Sequence, residues 1–163
     1  MTGKPSARLL QHPVNFLALG FGSGLVPKGP GTAGTVAAIP LYLLLEPLPL
    51  ATYLGLVAVL FMIGIPVCEH TAKQMGVHDH PAIVWDEIVG YLATMSFAPT
   101  GWPWVIAGFA LFRLFDIAKP WPIRVLDRKV GGGLGIMIDD LLAAVFAAAS
   151  LQLLLVFVAP RFS

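Results

Sequence analysis

Charge is scarce in this chain. Asp, Glu, Lys and Arg make up 12% of its 163 residues, against 57% apolar residues, and the mean hydropathy is +0.82. A soluble domain carries about 25% charged residues, so this composition argues against an ordinary soluble fold and for an integral membrane protein. Cysteine is almost missing too. Cys68 stands alone, which excludes an intramolecular disulfide framework and any multi-cysteine metal site. The formal net charge of +1 leaves no basic field of the kind that holds nucleic acid. Residues 1–13 are short and polar, with Lys4 and Arg8, and lack the apolar core and cleavage pattern of a signal peptide. Residues 1–15 read as a cytoplasmic tail, and residues 1–163 as one membrane-embedded domain.

What the chain does have is a series of uncharged runs. Residues 16–25 are mildly apolar but broken by Gly20, Gly22 and Gly24, too short and too glycine-rich to span. Apolar sequence starts at Thr35, breaks at Glu46-Pro47-Leu48-Pro49, and resumes without charge over residues 50–68, where Cys68 falls in a helix. Residues 88–112 carry no charge either, but Pro99-Thr100-Gly101 is a turn signal near their centre. They read as two antiparallel helices, with Trp102 and Trp104 as interfacial anchors. Residues 141–159 form the strongest helix candidate, closing at Pro160 and Arg161. A span needs roughly 20 residues, fewer where the bilayer thins. The expected fold is therefore all-α: a polytopic membrane bundle of about five transmembrane helices, with a Gly/Pro-rich re-entrant or interfacial loop near its N-terminus.

Basic flanks set the orientation, because Lys- and Arg-rich loops stay in the cytoplasm. Lys4, Arg8, Lys73, Lys119, Arg124, Arg128 and Lys129 fall on one side of a five-span arrangement. The connections at 45–49 and 97–103 hold no basic residue and fall on the other; Arg161 is the exception. This topology gathers the polar motifs at the cytoplasmic face. Five of the nine acidic residues belong to it: Asp86-Glu87, Asp116 and Asp139-Asp140. A carboxylate at bilayer depth costs a few kcal/mol or more, and so normally faces a polar cavity, a partner or an ion.

Each motif has a structural and a chemical reading. In the run from Gly22 to Thr35, glycines let backbone N–H groups approach an anion, and the following helix N-terminus adds a favourable dipole. Ser23, Thr32 and Thr35 supply hydroxyls there, and Lys28 a charge. The same run equally suits a re-entrant turn that permits tight helix packing. Asp86 and Glu87 begin a helix, where acids complement the dipole. Neighbours on a helix diverge by about 100°, so both reach one ion only from a helix tip. Arg113 and Asp116 share a face as an ion pair, or Asp116 is a metal ligand while Arg113 and Lys119 contact phosphate. The run from Gly131 to Asp140 reads as a flexible loop feeding Asp139 and Asp140 into the entrance of the last span. Hard cations such as Mg²⁺ take oxygen ligands of this kind, and without one the paired charges repel. Glu69, His70, His78, Asp79 and His80 form a further polar patch, but contiguous spacing suits a single tetrahedral metal site poorly. The histidines read as interfacial loop residues.

Familiar phosphatase signatures are absent, namely Cys-x5-Arg, the Asp-x-Asp nucleophile and Lys-x6-Arg-Pro, as is the Asp-rich pattern of CDP-alcohol transferases. Together, though, Gly22-Ser23-Gly24-Leu25 with Pro30-Gly31-Thr32, Trp85-Asp86-Glu87 with Gly90, Arg113 with Asp116, Lys119-Pro120-Trp121-Pro122-Ile123-Arg124, and residues 132–140 resemble phosphatidylglycerophosphatase A, a bacterial inner-membrane lipid phosphatase. The resemblance runs from about Phe16 to Ala147. It implies Mg²⁺-dependent hydrolysis of phosphatidylglycerol phosphate to phosphatidylglycerol and phosphate. The mechanism expected beside it has Asp86, Glu87, Asp116, Asp139 and Asp140 assemble one or two Mg²⁺ ions, with Asp86, Asp116, Asp139 and Asp140 catalytic. Ser23, Lys28, Thr32, Arg113, Lys119 and Arg124 would bind substrate. A small transporter or ion-binding protein is the competing class, since Gly/Pro breaks and buried carboxylates also mark ion pathways. That class predicts carboxylates near mid-span and on both sides; here they fall on one.

Overall fold

The computed structural model describes residues 7–158. Met1 and Lys4 at one end, and the close at Pro160 and Arg161 at the other, lie outside them. Every regular element among the described residues is helical: a 3₁₀ turn at Ala7–Gln11, α1 (Pro13–Ala18), a second 3₁₀ segment (Gly20–Leu25), α2 (Pro30–Leu45), α3 (Leu50–Met75), α4 (Trp85–Thr94) with a 3₁₀ extension to Phe97, α5 (Trp102–Ala118), α6 (Ile123–Lys129) and α7 (Gly132–Val158). The helical breaks fall at the Pro/Gly signals: residues 46–49 join α2 to α3, and residues 98–101 join the α4 extension to α5.

α3 and α7 are each long and apolar enough to cross a bilayer. In their most apolar stretches only 22% and 28% of residues are buried inside the protein, unlike the core helix of a soluble domain. α2 has 16 residues and α5 has 17, about 24–26 Å at 1.5 Å per residue. α4 has ten. It is shorter than the span expected for residues 88–97, and its burial explains how so short a helix persists. Trp85, Asp86, Ile88, Val89, Gly90, Tyr91, Leu92 and Thr94 are all buried. α4 is the hub of the bundle, in contact with α2, α3, α5 and α7, so its ends meet protein rather than lipid.

Side-chain contacts fix the directions. The Tyr53 hydroxyl donates to the Leu92 carbonyl at 2.7 Å and the Trp85 indole N–H to the Leu60 carbonyl at 3.2 Å, which makes α3 and α4 antiparallel. The Tyr91 hydroxyl donates to Val105 O at 3.1 Å, and Phe112 packs on Gly90, so α5 returns beside α4. The N-terminal segment is more than a tail. Within it, Asn15 is fully buried; its amide donates to Gln74 at 2.7 Å and its carbonyl accepts from Thr71 at 3.0 Å. α1 is thereby fastened to the end of α3.

Two helix starts differ from the sequence expectation. α2 begins at Pro30, not Thr35: Gly29 sits in the left-handed region (φ 63°) and Pro30 occupies the first turn, where its missing N–H costs nothing. The larger correction concerns residues 131–140. They are not a flexible loop, because α7 starts at Gly132, and a Cβ on Gly133 would run into the Ile65 carbonyl of α3. Close approach of α7 to α3 outweighs the low helix propensity of glycine. Asp139 and Asp140 consequently lie in the third turn of a helix rather than at its entrance.

This packing gives a paired prediction. Gly133→Ala forces α7 away from the α3 backbone and should cost about 1–3 kcal/mol in unfolding measured in detergent micelles. Gly55→Ala, where a Cβ meets nothing within 4 Å, should be neutral or stabilising by up to about 1 kcal/mol.

Candidate active site

The N-terminal tip of α4 places Asp86 and Glu87 in the first helical turn, where two neighbouring side chains can bend toward one point. Asp140 reaches the same point from the third turn of α7. Ligand oxygens of Asp86, Glu87 and Asp140 all lie within 4.8 Å of one another. Asp86 and Asp140 are buried, at 7% and 3% exposure.

The cation beside this cluster comes from the second half of α5. Arg113 ion-pairs with Asp116 one turn on, and its guanidinium lies 3.9 Å from Glu87. Gly31, in the first turn of α2, completes the wall: a Cβ there would collide with the Glu87 carboxylate and come within 3.1 Å of Arg113. The glycine-rich run thus serves close packing against the charged pair. Lys119 terminates α5 in a left-handed conformation, φ 40°, a position that glycine occupies at no steric cost. Its ammonium donates to Asp139 Oδ2 at 2.6 Å and to Asp127 Oδ1 at 2.9 Å. Burial works to lower the Lys119 pKa, but the hydrogen bonds to the two carboxylates outweigh it and hold the ammonium above the usual lysine range.

Of the residues singled out in the sequence, Asp86, Glu87, Asp140, Arg113 and Asp116 converge. Asp139 points elsewhere, as the 100° step along a helix requires, and is held by Lys119. Ser23 is half-buried and donates its hydroxyl to Gly20 O at 2.7 Å. Lys28 is exposed on the Gly/Pro segment, Thr32 in the first turn of α2, and Arg124 on α6. The histidine patch disperses into local roles: His78 Nε2 accepts from the Gly132 amide at the start of α7, and His80 Nδ1 from the Ala82 amide. Asp127 was missed. No sequence signal marked it: Asp127 reaches Lys119 only because the turn containing Pro120 and Pro122 brings α6 round to that side chain.

A metal ion can be tested against the donor set. Asp86 Oδ1, Glu87 Oε2, Asp139 Oδ1 and Asp140 Oδ2 are buried with no hydrogen-bond partner. No basic residue pairs with Asp86 or Asp140 among the described residues. Unpaired buried carboxylate oxygens are rare because their desolvation is uncompensated. An all-oxygen, anionic set of this kind fits a hard divalent cation.

The sequence profile of phosphatidylglycerophosphatase A matches residues 16–155. The chain belongs to the phosphatidylglycerophosphatase A family. It is 52% identical over 143 residues to the phosphatidylglycerophosphatase A of Escherichia coli, an alignment covering 87% of this chain and 83% of that protein. The Haemophilus influenzae protein of the same name is 49% identical over 140 residues, covering 85% and 86%. No solved structure matches this one. The family is one of lipid phosphatases, and the chain is an enzyme of that kind. Its matched region spans every element that supplies Asp86, Glu87, Arg113, Asp116, Lys119, Asp139 and Asp140.

The Arg113 pairing is testable on its own. Removing one member of a buried ion pair costs about 3–5 kcal/mol by stranding the other charge. Arg113→Met should therefore destabilise the detergent-solubilised protein by that order, and adding Asp116→Asn to it should recover part of the loss.

Proposed function

We propose that the chain hydrolyses phosphatidylglycerol phosphate to phosphatidylglycerol and inorganic phosphate, with Mg²⁺ bound, at the cytoplasmic face of the bacterial inner membrane. The observation that carries this reading is the convergence of Asp86, Glu87 and Asp140 within 4.8 Å beside Arg113, in a chain of this family. In this arrangement α2, α3, α4 with its 3₁₀ extension, α5 and α7 form five membrane segments of a single domain, with the N-terminus in the cytoplasm. Thinning of the bilayer around the shorter helices accommodates α2 and α5, while α4 is sheathed by its neighbours. The lipid's acyl chains stay in the bilayer while its phosphorylated head group enters between the end of α5 and the tip of α4.

Asp86, Glu87 and Asp140 would hold the cation, with Asp116 alongside. Bound there, the ion supplies Lewis-acid polarisation of the phosphoryl group and lowers the pKa of water. The protein's own side chains do the rest. Arg113 presents a planar fork to the non-bridging phosphate oxygens, oriented by Asp116 and by Glu87. Lys119 supplies a point charge to the same group, oriented by Asp139. Exposed Lys28, Thr32 and Arg124, together with Ser23, would draw in the anionic head group. A carboxylate oxygen of Asp86 or Asp140 that is not engaged with the cation would accept the proton of an attacking water. The water oxygen bonds to phosphorus, the bond to the glycerol oxygen breaks, and that oxygen leaves with the proton that the carboxylate took from the water.

Phosphate release by purified protein in mixed micelles tests this reading. Wild-type protein should release phosphate from phosphatidylglycerol phosphate with Mg²⁺ and stop when a chelator is added. Asp86→Asn and Asp140→Asn should each lower kcat by roughly 10²–10⁴-fold while remaining folded. Absence of release by the wild type would refute the substrate, and wild-type rates in a folded variant would remove that carboxylate from the chemistry.

A further inference from the structure

α2 starts without a cap. Gly29 takes the N-cap position in the left-handed region, and no side chain bonds to the first turn. Pro30 has no N–H, and Ala33 is the first residue of α2 whose amide finds an acceptor, Gly29 O at 3.1 Å. The amides of Gly31 and Thr32 are the orphan donors of this helix start, which only a ligand or water can satisfy. Beside them lies the carboxylate cluster. A Cβ on Gly31 would collide with Glu87 Oε1 and lie 3.1 Å from Arg113 Nη1. Side chains of opposite kinds lack partners here. Asp86 Oδ1 and Asp140 Oδ2, on residues 7% and 3% exposed, are buried acceptors without a donor, and Arg113 Nε is a buried donor without an acceptor. The acceptors call for a cation; the guanidinium donor, next to two orphan amides, calls for an anion.

We propose that the Gly31–Thr32 peptide is an oxyanion donor of the site: its N–H donates to a non-bridging oxygen of the substrate's terminal phosphate, and Thr35 is the positioning residue that aims it. This rests on the function proposed above and deepens it. Thr35 is fully buried, and its hydroxyl donates to Gly31 O at 2.9 Å. That carbonyl and the Thr32 N–H belong to one planar peptide unit, so holding the oxygen fixes the direction of the hydrogen, which points off the start of α2. The hydroxyl bond also polarises the peptide, which strengthens the N–H as a donor. Helix packing does not call for this bond. Within a helix the Gly31 carbonyl already receives the amide four residues on, and an added bond from a threonine hydroxyl slightly destabilises and bends the helix. The dipole of α2 adds positive potential at the same point, and the missing side chain at Gly31 lets phosphate come up to the backbone. Phosphate seated there lies between the α2 start and Arg113, with the carboxylate cluster alongside. Thr35 touches no substrate; it acts through the peptide.

Three measurements on the detergent-solubilised protein test this: kcat/KM on phosphatidylglycerol phosphate, calorimetric titration of inorganic phosphate into Mg²⁺-supplemented protein, and Mn²⁺ affinity. Thr35→Val keeps the shape of the side chain and removes its hydroxyl. It should lower kcat/KM and weaken phosphate binding, each by about three- to tenfold, and leave Mn²⁺ affinity at the wild-type value. Thr35→Ser should restore both. Thr32→Pro deletes the amide itself at a first-turn position that tolerates proline, and should lower kcat/KM by about 10²–10³-fold. Thr32→Ala, which removes the hydroxyl and keeps the amide, should lose at least tenfold less. If Thr32→Pro does not fold, the Thr35 pair decides. Wild-type kcat/KM and phosphate affinity in Thr35→Val would overturn the inference. A loss that Thr35→Ser fails to recover, a parallel loss of Mn²⁺ binding, or failure of Thr35→Val to fold would do the same and make Thr35 a structural support of α2. If the wild type releases no phosphate from phosphatidylglycerol phosphate, the underlying reading fails; release by the wild type without the Thr35→Val shifts sinks this inference alone.

Discussion

Asp86, Glu87 and Asp140 hold ligand oxygens within 4.8 Å of one another inside an apolar bundle, and like charges that close repel strongly wherever water is excluded. Arg113 reaches Glu87 and Asp116, and Lys119 reaches Asp139 and Asp127. Asp86 and Asp140 are left to each other. Relaxing that repulsion would be easy if the carboxylates could turn to solvent, but the helices that carry them are fixed by contacts elsewhere. The tip of α4 is pinned by Trp85 on Leu60, and α7 by Gly133 on Ile65. The geometry is of the kind that a compensating positive charge would stabilise, and the proposed divalent cation would supply it.

α4 is the element that makes such a cluster possible. A helix that spanned the bilayer on its own would present its acidic first turn to head groups and water. Ten residues sheathed by four neighbouring helices instead carry Asp86 and Glu87 into the bundle. Glycines on the surrounding helices set the closeness of approach: Gly31 lets α2 lie against the Glu87–Arg113 pair, and Gly90 receives Phe112 of α5. Small residues at helix contacts are a general device in membrane-type packing, and here they also shape the polar site.

The sequence was most legible where chemistry and punctuation coincide. Uncharged runs, Pro/Gly breaks and the tip position of Asp86-Glu87 led directly to the helices and to one shared point for those two side chains. It was least legible where packing overrides local preference. Gly131 to Gly135 has the composition of a flexible loop, yet most of it is helical because the α3 backbone occupies the space a side chain would need. That shift puts Asp139 and Asp140 on diverging directions of one helix, so two adjacent carboxylates with identical sequence credentials take different partners. Asp127 was invisible for a related reason. Nothing in its neighbourhood distinguishes it from a solvated charge until the Pro120–Pro122 turn folds α6 back toward Lys119.

The central claim is that Asp86, Glu87 and Asp140 together hold a divalent cation. Titration of the purified, detergent-solubilised protein with Mn²⁺, followed by the loss of its free-ion paramagnetic resonance signal, measures this without reference to turnover. The account predicts saturable binding that Mg²⁺ competes away and that a folded Asp140→Asn protein loses by about tenfold or more, equivalent to about 1.4 kcal/mol. Wild-type stoichiometry and affinity in that variant would contradict it.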